Sequence, residues 1–152
     1  PLNWTDSKSY KERLKSARKK TGLDCGMMVV SGSINDIKIT AVASDFDFLG
    51  ASMAAAEGMP AAGLLLLSYP LHPPTNPEKL RVEHFANIES PTLFVSGNND
   101  PFGSPQEFKQ QTSSIKGKVT TKFLDGGRHD PSSRAHIASI VDVVSAWVST
   151  LS

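Results

Sequence analysis

Hydrophobic and polar positions change period several times along the chain, and each change marks an element. Tyr10, Leu14 and Ala17 stand at i, i+4 and i+7 among basic residues, which predicts a short helix with one narrow apolar stripe. Asp6 or Ser7 is placed to cap its start and Gly22 its end. Alternation then replaces the helical period. Met28 to Ile34 and Ile37 to Ala43 are β-branched, apolar runs on either side of Asn35-Asp36, a pair that tolerates the positive φ of a two-residue turn. An antiparallel hairpin is predicted, with its second strand continuing to about Phe48, where Phe46 and Phe48 alternate with Asp45 and Asp47.

Beyond the hairpin, strand and helix patterns take turns. Ala62 to Ser68, Thr92 to Ser96 and Val119 to Leu124 read as strands, and Glu78 to Asn87, Pro105 to Ser114 and Ser133 to Leu151 as helices. Ser104 and Glu107 have capping-box spacing, with Pro105 at the first helical position. Ile137, Ile140, Val141, Val144, Trp147, Val148 and Leu151 make a wide stripe suited to a sheet face. This order predicts the α/β fold class. The expected architecture is one domain over residues 1–152, in which the helix and hairpin join three parallel strands in a mixed sheet of about five strands.

Composition narrows the function classes. The 152 residues, 39% hydrophobic and 20% charged, are ordinary for a water-soluble domain, and Leu64 to Leu67 is far too short a run to span a bilayer. The single cysteine, Cys25, has no internal disulfide partner and fits a cytoplasmic setting. A net charge of +1 hides a cluster of seven cations between Lys8 and Lys20, read as a solvated helix face rather than a nucleic-acid site. Asp45 and Asp47 lack a third ligand, and no spacing among the histidines suggests a metal site; no metal and no cofactor are expected.

Two sets of words carry family resemblances. PLNWTDSKSYKERLKSARKKTGLD and SDFDFLGASM resemble the opening of the carboxyltransferase β-subunit of acetyl-CoA carboxylase, up to about Gly50. AAAEG, GLLLLSYPLHPP, PEKLRVEH, PTLFVSGNNDPFG and DGGRHD resemble the closing half of a small, dienelactone-hydrolase-like α/β-hydrolase, from about Ala51. The chain therefore reads as a chimera with its seam near Ser52. The first resemblance implies scaffold, because the oxyanion-forming segments that bind acyl thioester lie later in that family. The second implies chemistry. α/β-Hydrolases order their nucleophile, acid and base as Ser, Asp, His, with the acid and base on loops after late strands. Asp100 follows PTLFVSG and His129 follows VTTKFLDGG, at the strand ends where open parallel sheets place their sites.

The nucleophile decides between readings. GASMA matches G-x-S-x-G except at Ala54, so Ser52, Asp100 and His129 would complete a triad in the right order. The carboxyltransferase family carries a similar word, however, and ASMAAAEG aligns better with the tail of the helix that follows a hydrolase elbow. The expected function is a folded chimera without significant catalysis. The alternatives are a weak serine hydrolase acting on small esters or thioesters, and an acyl-CoA-binding remnant. A hydrolase sheet deprived of its first strands keeps an open edge, so a homodimer is expected, with the short stretch between Phe48 and Ala62 as the hinge for a swap, and with neither nucleic acid nor membrane as partner.

Overall fold

The structure, a computed structural model, describes residues 10–22, 27–34, 36–44 and 61–151. The chain divides into two compact units, Pro1–Ala54 and Ala55–Ser152. Asp6, Ser7, Cys25, Phe46, Phe48, Asp45, Asp47 and Ser52 lie outside the described residues, and so do the expectations placed on them.

In the first unit α1 spans Tyr10–Thr21. Gly22 ends it at φ 71°, donating its N–H to Arg18 O at 2.9 Å, a left-handed closure that costs glycine nothing. Strands β1 (Met27–Ile34) and β2 (Ile37–Ser44) pair antiparallel from Met27↔Ser44 to Ile34↔Ile37. The turn depends on Asp36 at φ 64°, as its Asn-Asp pair predicts. Ser31 and Thr40, directly opposite, join their hydroxyls at 3.1 Å.

The second unit is a three-layer fragment around a parallel sheet in the order β3-β4-β5, with β3 at Leu64–Leu67, β4 at Thr92–Gly97 and β5 at Val119–Leu124. Every residue of the central β4 is buried. On one face Phe94 shares a core cluster with Phe85, Phe108, Tyr69, Leu71, Ile88 and Ile115, with edge-on ring contacts such as Phe94–Phe108 at 5.5 Å. On this side lies α2 (Pro105–Gln111), opened by the complete Ser104/Glu107 capping box. α3 (Arg134–Val148), capped by Ser133, packs on β4 and β5. Its C-terminal end buries Trp147 and Val148, whereas Ile137 and Val141 stay exposed, so only part of the predicted stripe is covered among the described residues.

Two expectations are corrected. The described strands form a two-stranded sheet and a three-stranded sheet, not one sheet of five. The hairpin satisfies its own ladder over eight residue pairs, and β3, only four residues long, is laddered to β4 alone. The helix expected from Glu78 to Asn87 is a loop ending in one 3₁₀ turn, Phe85–Asn87. Tertiary bonds overrule the local pattern: Arg81 donates its N–H to Leu71 O at 2.8 Å and accepts at its own carbonyl from the Tyr69 hydroxyl, which holds the segment extended over the core.

Candidate active site

The C-terminal ends of β4 and β5 are stitched together before any functional side chain is placed. Asn98 N–H bonds Leu124 O at 3.1 Å, Asn99 N–H bonds Gly127 O at 2.9 Å, and the Asn98 side chain accepts from Gly126 N–H at 2.9 Å. Gly97 and Gly127 are in backbone contact, where any Cβ would collide. Gly126 sits at φ 69°, so the double glycine of DGGRH is required for both approach and turn.

This stitching brings Asp100 and His129 together. Asp100 Oδ2 lies 2.9 Å from His129 Nδ1, and Asp100 Oδ1 accepts the Phe102 N–H at 2.9 Å. The Asp100 side chain is fully buried, while 25% of the His129 side chain remains exposed. Because a carboxylate only accepts, Nδ1 carries the hydrogen in this pair, which sets the tautomer of the ring. The Phe102 ring stacks on the imidazole at 4.1 Å and 29°, fixing its plane from one side. The contact has the geometry that the acid and base share in a Ser-His-Asp triad, where the carboxylate orients the imidazole.

A polar brace supports the acid loop. His72, buried, donates its backbone N–H to Phe102 O at 3.2 Å and turns Nδ1 toward Pro73 O at 3.0 Å. Its Nε2 stands 3.2 Å from Glu107 Oε1, within ion-pair range but without hydrogen-bond geometry. The Ser104 hydroxyl and backbone N–H both donate to Glu107, and these bonds hold its carboxyl below the usual range, with a smaller contribution from His72. On the other side, His136 of α3 places Nε2 2.9 Å from Asp125 O.

Of the residues expected at the site, Asp100 and His129 are brought together, and Ser52 lies outside the described residues. Phe102 and the Gly97/Gly127 contact were missed by sequence reasoning, although an aromatic two positions after the acid in NNDPFG and the paired glycines before His129 were visible signals. No group of His, Cys, Asp or Glu fit to hold a metal occurs among the described residues, and no described helix is long and apolar enough to cross a membrane.

Comparisons with known proteins divide the chain in the same way. A family model described as an alpha/beta hydrolase domain matches residues 49–145. The carboxyltransferase-like segment is matched separately. It is 71% identical over 58 residues to the acetyl-coenzyme A carboxylase carboxyl transferase subunit beta of Pelagibacter ubique, covering 38% of this chain and 19% of the relative. The same subunit of Granulibacter bethesdensis is 46% identical over 67 residues, 43% of this chain and 22% of the relative. That of Acinetobacter baylyi is 41% identical over 58 residues, 38% of this chain and 20% of the relative. The chain thus spans about a fifth of the length of these curated relatives. No solved structure matches.

Proposed function

The chain belongs to the α/β-hydrolase domain family, and from that premise we propose that it carries the acid–base half of a hydrolase site without a working nucleophile of its own. The observation that supports this reading is the Asp100–His129 pair, carried on the loops that follow β4 and β5 of the second unit. Ser52, the sequence candidate for the nucleophile, precedes the boundary between the units at Ala54 and sits in a word shared with the carboxyltransferase resemblance. Ala54 also puts a Cβ where the elbow motif keeps glycine for close approach. An acid and base alone orient and accept protons but form no acyl intermediate, so turnover of esters is negligible.

A second reading is favoured by the same pair. A serine brought to Nε2 of His129 would lose its proton there and attack a small ester or thioester carbonyl. The alcohol or thiol would leave with the proton held by His129, and water would then hydrolyse the acyl-enzyme to release the acid and regenerate the serine. Fluorophosphonate labelling and p-nitrophenyl ester turnover separate the two. The first reading expects neither; labelling abolished by both Ser52→Ala and His129→Ala would replace it with the second. We further propose that the chain associates as a homodimer.

A further inference from the structure

Among the described residues β5 is the outer strand of the parallel sheet, paired to β4 on one side. The Lys118 and Leu124 carbonyls bond back to β4 through Thr92 N–H and Asn98 N–H. Strand alternation therefore directs the N–H and C=O groups of Val119, Thr121 and Phe123 away from the sheet. These three residues also line an open groove of about 670 Å³, whose opposite wall is formed by Lys109, Thr112 and Ile115 of the α2 side. Backbone donors and acceptors and alternate side-chain pockets thus lie along one line, the requirement for adding an extended strand to a sheet edge.

Charge selects among strands. Lys109 is exposed beside the groove, as are Lys118, immediately before β5, and Lys122 on it, none of them ion-paired among the described residues. Lys116, next along, is held by Glu89 at 3.5 Å. Edge lysines keep two copies of the same strand from pairing, because they would meet their own kind. The same lysines attract a strand of opposite sign.

We propose that the free edge of β5 docks an extended acidic segment of a partner protein, in which apolar residues enter the groove against Val119 and Phe123 and alternate with carboxylates facing Lys118 and Lys122. Docking adds main-chain bonds at Val119, Thr121 and Phe123 and does not involve Asp100 or His129.

The test is amide chemical-shift mapping on the isotope-labelled full chain with a short blocked peptide alternating Glu and Val, and with its Lys-Val counterpart. The expected result is that the Glu-Val peptide shifts and protects the amides of Val119, Thr121 and Phe123 and the Lys-Val peptide does not. Thr121→Pro removes an outward N–H and no bond to β4, and weakens binding by roughly tenfold. Should that variant misfold, the paired surface changes Lys118→Glu and Lys122→Glu read the charge requirement instead and abolish binding. No shift at millimolar peptide, equal binding of both peptides, or shifts confined to other surfaces would overturn the proposal. So would edge amides that shift with protein concentration alone, which would assign the edge to a second copy.

Discussion

Gly97 and Gly127 pack backbone against backbone, each occupying the space where the other would carry a side chain. This contact sets the distance between the two strand ends and so the meeting of Asp100 with His129, residues 29 positions apart. Gly97→Ala inserts a methyl group against the Gly127 carbonyl, a backbone atom with no rotamer to yield. The expected outcome is a loss of about 1–3 kcal/mol in urea denaturation, the usual cost of overpacking, together with loss of the downfield Nδ1 proton signal of His129. An unchanged Nδ1 signal would show that the pair does not depend on the glycine contact.

Asp100 satisfies two donors at once, the Phe102 N–H and the His129 Nδ1–H. Asp100→Ala leaves both without that acceptor, and the expected cost is about 1–3 kcal/mol, with the imidazole released from its single tautomer. Nitrogen chemical shifts of His129 measure the second effect directly. They should move from the Nδ1–H pattern toward the mixed pattern of a free imidazole.

Tyr69 is a titratable group buried in the core. Burial pushes its phenol up to about 12, with Arg81 partly opposing and Glu83 adding to the rise. The folded chain therefore prefers the neutral phenol: this stability is complete below the unfolded value near 10 and is lost as pH rises toward about 12. Denaturation followed across that window should show the loss. Tyr69→Phe should abolish this alkaline component, and at neutral pH should cost about 1 kcal/mol for the bond to Arg81 O.

Glu107 titrates in the opposite sense. Its carboxyl is held low first by the Ser104 hydroxyl, then by the Ser104 N–H, so its contribution is present above the unfolded value and fades as pH falls through the folded one. Ser104→Ala removes the cap and the leading cause of the shift together. The expected destabilisation is about 1 kcal/mol at neutral pH, shrinking in acid, where the wild-type carboxyl also becomes protonated. A difference between the two proteins that stays constant from neutral to acid would disprove the coupling.

What the sequence made legible follows where local signals act alone. Asp36 takes the positive φ its turn needs, Ser104-Pro105-Glu107 starts its helix, and β5 appears at Val119–Leu124 as its pattern indicates. The meeting of Asp100 and His129 was legible because their words follow directly on two strands that pair in parallel. The segment from Glu78 was not, because its conformation is fixed by Tyr69 and Leu71, remote in sequence, rather than by its own helix formers. The five-stranded sheet failed for a similar reason. Strand propensity identifies strands, but which edges meet depends on connections and partners that propensity does not encode.

Self-association is expected to use the other side of the parallel sheet. Among the described strands β3 is laddered only to β4, and Leu65 and Leu67 expose 39% and 51% of their surfaces beside that edge, without the lysines that guard β5. An apolar, uncharged edge is a template for a second copy, and two-fold pairing of β3 with β3 would cover both leucines at once. Because neither side chain is buried, Leu65→Lys and Leu67→Lys together should leave the fold intact while placing like charges opposite each other across the two-fold. Light scattering at micromolar concentration should therefore return twice the chain mass for the wild type and the mass of one chain for the double variant. A wild-type monomer would reject the homodimer, and a double variant that remained dimeric would reject β3 as its seam.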